Sequence, residues 1–311
     1  MLLLLAMTTW ARKAPTRPSI YGIAYVRIHS ANLQASVPFF QKILGLIPDS
    51  GVCIQTVTWP ANLRVSPPAE DTCKDSKLRG FYVSESQTIQ LDPSAQPLPG
   101  TLLEEVGFFT SDVAAMRKFL LSQHLHPGPI EVYQRLSSVA VTDPEGHKIA
   151  FMERRGAYFI DMVSDPRVSK HVIHAGFVVR DRAAEEHFYK DVVGFRPYWH
   201  GGMKDDQTDW VSMQVPDGTD WLEFMVNVSP NANKKELGVM NHIALGVPDI
   251  HAVEKQLRAK GWTGTEEPKI GRGGKWQLNL YDPDDTRIEL MEFTPVQKPC
   301  CSEFTGSHPK P

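Results

Sequence analysis

Four side chains that could bind one metal ion lie on strand-like segments in the C-terminal half of the 311-residue chain. They are His174 in HVIHAGFVV, Glu223 in WLEFMV, His242 in NHIALGV and Glu289 in RIELMEF. Because side chains alternate between the two faces of a strand, Glu223 shares a face with Met225, and Glu289 shares a face with Met291. An ionised carboxylate among apolar groups is costly unless it is paired, hydrogen-bonded or bound to a metal. Two such carboxylates, with two histidines in matching contexts, predict a cation site.

This ligand set has the chemistry of a catalytic metal centre. Two imidazoles and two carboxylates form a nitrogen and oxygen site that suits Zn, Ni, Co, Mn or Fe(II). A six-coordinate metal would leave two positions open for a substrate with two adjacent oxygens. The metal would then act as a Lewis acid while a carboxylate moves a neighbouring proton. We therefore predict one divalent ion in this half of the chain.

The segment GRGGKWQLN is a candidate wall of a substrate pocket. Its glycines give the backbone freedom to move, so that Trp276 could close over a substrate. Arg272 and Lys275 could bind an anionic group of that substrate. A flexible surface loop with solvated charges explains the same residues equally well. The sequence leaves both interpretations open.

The elements that must position these residues occur in an internal repeat. The segment FFQKILGL recurs as FYKDVVGF, and VTDPEGHKIAFME recurs as LYDPDDTRIELME. The repeat predicts two related modules, at residues 20–154 and 171–295, which are joined by a linker at residues 155–170.

Each module itself divides into two halves, and each half contains a strand, a helix and then further strands. This order predicts an α+β fold of four βαβββ units. Asp181 and Asp249 are predicted to cap the helices of the second module, and Ser30 and Asp112 are predicted to cap those of the first. Pro38 falls inside the first helical pattern, where it predicts a kink or a shortened start.

Composition limits the classes of function. The chain is 41% hydrophobic and 22% charged, which is typical of a soluble globular protein of about two domains. Its formal net charge is −3, and no block of like charges predicts a nucleic-acid partner. We expect a small-molecule substrate, no membrane span, and a monomer or homodimer.

The two ends of the chain are predicted to lie outside the modules. Residues 1–19 form a leader that begins with an apolar run resembling a weak secretory signal, although no Lys or Arg precedes that run and it is too short to span a membrane. Cytoplasmic and exported locations therefore both stay open. Residues 296–311 are predicted to form a disordered tail. Cys53 and Cys73 could pair in an oxidising compartment, and four free thiols is the alternative.

Over residues 20–295 the chain resembles a tandem protein of the vicinal oxygen chelate superfamily, which includes glyoxalase I, fosfomycin and bleomycin resistance proteins, and extradiol dioxygenases. The candidate ligands of the second module match the glyoxalase I pattern. The resemblance implies cup-shaped sheets made from paired βαβββ units and a divalent metal in the second cup. It also implies that Glu289 or Glu223 acts as the catalytic base. It does not by itself identify the reaction.

The first module departs from this pattern at every ligand position. Aligning the repeats places Tyr25 opposite His174, Gln90 opposite Glu223, Glu105 opposite His242 and Ala150 opposite Glu289. One candidate ligand cannot hold a metal, so the first module is predicted to be a structural or substrate-shaping partner. A second, metal-free binding cleft is the alternative.

The resemblance favours a metal-dependent lyase or isomerase of the glyoxalase I type, acting on a small substrate that chelates the metal through adjacent oxygens. An extradiol-type ring-cleaving dioxygenase and a non-catalytic binding or resistance protein are the alternatives. No histidine lies between His251 and the Asp282-Pro283 turn, and Asn279 stands where the dioxygenase pattern would have a tyrosine. We therefore expect no cleavage of catechols.

Overall fold

Two curled, eight-stranded mixed sheets form the described part of the chain. A computed structural model describes residues 15–49, 78–93, 103–133, 136–154 and 165–311. Most of the predicted leader and linker lies outside the described residues, as do Cys53 and Cys73.

The first sheet belongs to the first module. Its strands are β1 (Ile20–His29), β2 (Ile47–Asp49), β3 (Arg79–Tyr82), β4 (Thr88–Asp92), β5 (Leu103–Thr110), β6 (Glu131–Tyr133), β7 (Leu136–Thr142) and β8 (Lys148–Arg154). They are arranged in the order β2-β3-β4-β1-β5-β8-β7-β6. The first strands of the two halves, β1 and β5, pair antiparallel at the centre of the sheet.

The second sheet repeats this arrangement. Its strands are β9 (Val172–Val178), β10 (Arg196–Gly201), β11 (Trp210–Gln214), β12 (Trp221–Met225), β13 (His242–Val247), β14 (Lys269–Ile270), β15 (Trp276–Tyr281) and β16 (Arg287–Glu292). Their order, β10-β11-β12-β9-β13-β16-β15-β14, is that of the first sheet. The prediction of four βαβββ units in two modules is confirmed.

Five α-helices accompany the described strands, and none is long and apolar enough to cross a membrane. They are α1 (Leu33–Pro38), α2 (Val113–Ser122), α3 (Arg182–Glu186), α4 (Lys234–Met240) and α5 (Ile250–Ala259). The helices α1 and α3 continue as π-helical turns over Phe39–Ile43 and His187–Val193. The turn after α1 begins directly behind Pro38, which has no backbone N–H to donate.

Three of the four predicted helix caps are present. The side chains of Asp112, Asp181 and Asp249 each accept a hydrogen bond from the first turn of a helix. The prediction for Ser30 is wrong, because Asn32 caps α1 instead. Ser30 still belongs to the strand ladder, since its N–H donates to the Asp92 carbonyl at 3.1 Å, which places it two residues too early to cap the helix.

Each module docks its last Asp-Pro turn against the first helix of the other module. In one direction, Glu145 Oε1 accepts hydrogen bonds from the backbone N–H groups of Arg180 and Asp181, at 2.6 and 2.5 Å. In the other direction, Asp284 Oδ2 accepts a hydrogen bond from the N–H of Ala31 at 3.0 Å. Glu145 and Asp284 occupy equivalent positions of the sequence repeat. The two modules therefore hold each other by reciprocal contacts.

A hydrophobic core continues from one module into the other. Phe108 on β5 and Phe195 after α3 are both buried, and their rings meet edge to face across the junction at 5.2 Å. Large aromatic pairs of this kind bury much area and add a directional contact. The modules thus pack into one body through apolar side chains as well as through the two turns.

The C-terminal residues 296–311 differ from the prediction of a disordered tail. They run beside the edge strand β10, where the N–H of Thr305 donates to the Tyr198 carbonyl at 3.0 Å. The Phe304 ring packs 4.9 Å from the Tyr198 ring. The polar composition of this segment favoured disorder, but an unpaired strand edge and an apolar contact are available to it only in the folded protein.

Cys300 and Cys301 are joined to each other by a disulfide. The alternative of four free thiols is therefore wrong. A pair between Cys53 and Cys73 stays a prediction, because both residues lie outside the described part of the chain.

Replacing Phe108 or Phe195 with Ala should lower the free energy of unfolding in urea by about 3–5 kcal/mol each, because each change leaves a cavity in the shared core. The double variant should lose less than the sum, since the two rings touch. Leu121→Ala, at a side chain that is 46% exposed, is the control and should change stability by less than about 0.5 kcal/mol. Additive losses in the double variant would contradict the contact.

Candidate metal centre

The four predicted ligands lie on four adjacent strands at the centre of the second sheet. Strands β12, β9, β13 and β16 follow one another in that order and carry Glu223, His174, His242 and Glu289 respectively. Gly176 lies opposite both Glu223 and His242 in the strand register, and Ala244 lies opposite both His174 and Glu289. This register brings the four side chains to one place, which we call the second cup.

The distances between these side chains are those of a cluster. The Nε2 atoms of His174 and His242 are 2.9 Å apart. Glu223 Oε2 lies 3.3 Å from His242 Nε2. Glu289 Oε2 lies 3.6 Å from His242 Nε2 and 3.8 Å from His174 Nε2. Neighbouring ligands at right angles around a metal, with bonds of about 2.1 Å, are separated by about 3.0 Å. The side chains present therefore fit a divalent ion.

Both imidazoles are held in the form that a metal needs. Burial lowers the pKa of His174 well below its usual value and lowers the pKa of His242 to about 3, so both rings are neutral near pH 7. His242 Nδ1 donates to the Met240 carbonyl at 3.0 Å, which leaves its Nε2 lone pair directed at the cluster. The His174 ring packs against Trp221, with ring centres 4.6 Å apart. These neighbours orient both rings before any ion binds.

Gly176 makes room for one of the ligands. A Cβ atom at this position would lie 2.0 Å from the His242 ring, closer than any real contact. The absence of a side chain on β9 thus lets the imidazole lie across the strand.

The equivalent place in the first module contains an arginine. Arg27, the counterpart of Gly176, lies opposite both Gln90 and Glu105, as the alignment of the repeats predicts. Its guanidinium donates to Glu105 Oε2 at 2.6 Å and to Gln90 Oε1 at 3.0 and 3.1 Å. The Tyr25 hydroxyl donates to the other oxygen of Glu105 at 2.8 Å. A side-chain cation therefore stands where the second module would hold an ion.

A cavity of about 630 Å³ reaches the candidate centre. Glu223 and Glu289 both line it. Most of the remaining wall is apolar, with rings contributed by Tyr198, Trp199, Trp210, Trp221 and Phe304. The C-terminal segment supplies the last of these rings, so residues far apart in the sequence complete the cup.

The structure separates the three predicted substrate-binding residues. Lys275 is 2% exposed and lies in the cavity wall, with its ammonium 4.9 Å from the centre of the Trp221 ring. Arg272 lies at the rim and is already paired, because it donates to the Gly202 carbonyl and to Asp205. Trp276 does not line this cavity.

Trp276 instead packs against the hydrophobic core and meets the His251 ring edge to face at 4.8 Å. Successive side chains of β15 point to opposite faces of the sheet, so the residue next to Lys275 faces away from the cup. This alternation places Trp276 on the face of the sheet opposite to the cup, away from the cavity.

Two further polar residues line the cup, of which the sequence analysis named Asn279 only for its departure from the dioxygenase pattern and did not name Arg287. Asn279 lies directly opposite Glu289 in the strand register, and Arg287 precedes Glu289 by two residues on the same face of β16. Strand alternation could have found both. Phe304 had no such signal, because its place in the cavity depends on how the C-terminal segment folds back.

The part of the chain that carries the four candidate ligands is similar in sequence to known proteins. The family model for the Glyoxalase/Bleomycin resistance protein/Dioxygenase superfamily matches residues 171–290. A lactoylglutathione lyase of Haemophilus influenzae is 29% identical over 123 residues, which cover 39% of this chain and 91% of that protein. A probable chloroplastic lactoylglutathione lyase of Arabidopsis thaliana is 23% identical over 136 residues, which cover 42% of this chain but only 38% of that protein.

Solved structures resemble the whole described architecture rather than one module. A variant of homoprotocatechuate 2,3-dioxygenase from B. fuscum superposes with a TM-score of 0.63 at 17% identity, covering 95% of this chain and 76% of that one. The 2,3-dioxygenase LapB from Pseudomonas sp. KL28 gives a TM-score of 0.59 at 15% identity, covering 95% of this chain and 96% of that one. At such identities the likeness establishes the fold alone.

Replacing His174 or Glu289 with Ala should lower the metal content of the purified protein by one divalent ion per chain. Loss of one ligand leaves the remaining carboxylate poorly compensated in a buried site. Elemental analysis by mass spectrometry after exhaustive dialysis measures this content. Tyr25→Phe and Gln90→Ala, at the equivalent strands of the first module, are the matched controls and should leave it unchanged. Undiminished metal in the double variant of His174 and Glu289 would refute the assignment.

Proposed function

We propose that the second module, which matches the family model for the Glyoxalase/Bleomycin resistance protein/Dioxygenase superfamily over residues 171–290, is the catalytic module of a divalent-metal-dependent lyase or isomerase of the glyoxalase I type. The substrate is a small molecule that presents two adjacent oxygens. The similarity to proteins named lactoylglutathione lyase supports a lyase reaction of this type. The class of substrate is our proposal as well.

The observation that carries this proposal is the second carboxylate of the cluster. Glu223 Oε2 lies 3.3 Å from His242 Nε2, closer than Glu289 Oε2 at 3.6 Å. Two histidines with a single carboxylate are the usual ligands of non-haem iron oxygenases, which need open positions for oxygen. A fourth protein ligand takes one of those positions and leaves a site better suited to binding and polarising one chelating substrate.

The protein residues have distinct roles in the proposed reaction. An ion held by the four ligands would supply Lewis acidity toward the substrate oxygens. Glu223 and Glu289 both line the cavity, and either one can take the proton from the substrate carbon and return it to the neighbouring carbon. The surrounding aromatic rings exclude water, so that the transferred proton stays between substrate and carboxylate.

Lys275 gives the cavity a preference for substrates with an anionic group. Its Nζ has no hydrogen-bond partner among the described residues, although the side chain is almost fully buried. Burial lowers the pKa of Lys275 to about 7, which reflects the cost of an unpaired ammonium among the Tyr198, Trp221 and Phe304 rings. A substrate oxyanion or carboxylate would supply the missing partner. We infer a substrate with a chelating end, an apolar body and one negative charge.

A ring-cleaving dioxygenase is the second candidate, because solved dioxygenase structures share the architecture of 95% of this chain. The lining of the cup argues against it. Among the described residues that line the cavity there is no histidine to act as acid and base beside the ligands. Asn279, opposite Glu289, carries an amide, which does not titrate near neutral pH and so cannot replace a histidine as acid and base.

The proposed reaction is tested on protein loaded separately with Ni, Co, Zn and Mn. Hemithioacetals of 2-oxoaldehydes with glutathione, and 2-oxoaldehydes alone, are offered as substrates, and product formation is followed by ultraviolet absorbance. Glu223→Gln and Glu289→Gln should each lower kcat, and loss of the general base should cost about 10²–10⁴-fold. Glu267→Gln, at an exposed loop residue, is the control and should retain full activity.

The opposite outcome is equally measurable. Steady oxygen consumption by the Fe(II)-loaded protein, together with a yellow ring-opened product from a catechol, would show that the protein is a dioxygenase and not a lyase. Tight binding of ligands without turnover with any of the metals would show that it is a non-catalytic binding protein.

Lys275→Met should weaken binding of an anionic chelator such as 4-carboxybenzohydroxamate by about 10-fold or more, since a buried charge-assisted hydrogen bond contributes about 1.5–3 kcal/mol. Binding of neutral benzohydroxamate should change little. Quenching of tryptophan fluorescence reports both, because three tryptophans line the cavity.

Lys275→Arg should restore part of the lost affinity for the anionic chelator. Lys269→Met is the matched control, because Lys269 also lines the cavity but is exposed, so its loss should cost much less. Equal losses for the neutral and the anionic chelator would contradict the role of the Lys275 charge.

A further inference from the structure

A second cluster of potential metal ligands lies where the two modules meet, away from the second cup. Asp143 and His147 belong to the turn between β7 and β8 of the first module, and Glu185 lies in α3 of the second. One ligand atom from each of these residues lies within 4.8 Å of the other two. The relative exposures of Asp143, His147 and Glu185 are 5%, 5% and 0%, so the cluster is enclosed by the protein.

The polar atoms of this cluster converge on one carboxylate oxygen. His147 Nδ1 lies 2.8 Å from Asp143 Oδ2, and the Tyr189 hydroxyl donates to the same oxygen at 3.1 Å. Glu185 Oε1 accepts the N–H of Glu145 at 3.0 Å, which fixes the Glu185 carboxyl group in place. Its second oxygen, Oε2, is buried and receives no hydrogen bond from an N–H or hydroxyl donor of the described residues, while burial and the neighbouring Asp143 carboxyl group raise the pKa of Glu185.

Among the described residues, His147 is the only basic side chain that pairs with a carboxyl group of this cluster. Two carboxyl groups are enclosed here, yet among the described residues no Lys or Arg forms an ion pair with Asp143 or Glu185. The Phe177 ring packs 4.5 Å from the His147 ring, so the surroundings are apolar on that side. Buried carboxylates without a partner are costly, and either a shared proton or a bound cation must remove that cost.

The internal repeat allows this cluster to be compared with the equivalent residues at the other contact between the modules. Asp282, Thr286 and Ser36 are the counterparts of Asp143, His147 and Glu185 in the other direction of the module junction. The two turns have the same backbone role, since both aspartates accept hydrogen bonds from the N–H groups two and four residues later. Only the first turn adds an imidazole and a second carboxylate. The turn itself therefore does not require these groups.

We propose that Asp143, His147 and Glu185 bind a divalent cation of the zinc class that fastens the first module to the second. One imidazole nitrogen and two carboxylate oxygens are ligands that Zn²⁺ accepts, and the hydrogen bond from the Tyr189 hydroxyl orients the Asp143 carboxylate. When the cation binds, any proton shared by the carboxyl groups of Asp143 and Glu185 is released to solvent. The lone pair of His147 Nδ1 would then point to the ion instead of to a proton. This ion is structural, because the cluster is closed to substrates and separate from the second cup.

The proposal predicts two Zn²⁺ ions per chain at saturation, which are lost independently. Glu185→Gln keeps the shape of the side chain but removes its charge, and it should lower the zinc content by one ion per chain. His174→Ala should remove the other ion, from the second cup. Ser36→Ala, at the counterpart of Glu185, should remove neither. Zinc is measured by mass spectrometry on the full chain after dialysis.

Thermal unfolding gives an independent readout for the junction. Saturating Zn²⁺ should raise Tm by about 5 °C in His174→Ala, in which the cup ligand set is incomplete, and this rise should vanish when Glu185→Gln is added. His147→Thr, which installs the residue found in the counterpart turn, should behave like Glu185→Gln and serves if the latter variant fails to fold. Unchanged zinc content and an unchanged zinc-induced rise in Tm in these variants would show that a shared proton, and no metal, occupies the junction.

Discussion

A carboxylate enclosed by apolar groups is costly unless a cation or hydrogen bonds compensate its charge, and this constraint applies at the equivalent place in both modules. In the first cup Glu105 is satisfied by Arg27 and Tyr25 within the chain itself. In the second, Gly176 stands where Arg27 would be, and two neutral imidazoles and two carboxylates surround the vacated place. The two modules thus differ at one position of the repeat. In the first module Arg27 neutralises the carboxylate, whereas in the second module Gly176 leaves space in which the side chains fit a bound ion.

The junction between the modules supports the central strands that carry these groups. Gln87 of the first module donates to the carbonyls of Ile23 and Val172 and accepts the N–H of Val172. It therefore joins the central strand of the first sheet to the strand that carries His174. The reciprocal turns bind the backbone at Ala31 and Arg180, just after the same two strands. The position of His174 on β9 therefore depends on contacts made by both modules.

The cavity obtains its character from segments that are remote from the ligands. Tyr198 and Trp199 come from the edge strand β10, and Phe304 comes from the C-terminal segment that runs beside it. Lys275 lies among these rings, and its ammonium has no hydrogen-bond partner in the described part of the chain. An apolar wall lowers the local dielectric and so strengthens every charge interaction inside it. The apolar wall therefore makes the burial of the Lys275 ammonium costly, and it also strengthens the attraction of that ammonium for an anionic ligand.

The amino-acid sequence by itself determined the repeat, the four βαβββ units and the four candidate ligands. Local sequence patterns predict these features, namely strand alternation, aspartate caps and a recurring Asp-Pro turn. Even the first module's counterparts of the ligands could be aligned correctly, because strand register follows from the same alternation. The cap at Ser30 was misplaced because the length of a strand depends on its partner, here the Asp92 carbonyl.

Only the tertiary structure decided which residues complete the sites. The partners of Arg272, the burial of Lys275 and the path of residues 296–311 all result from contacts between segments far apart in the chain. The cluster of Asp143, His147 and Glu185 likewise forms only when one module packs against the other. Local sequence patterns specify which face of an element a side chain occupies, but what that face meets is set by the packing of the whole molecule.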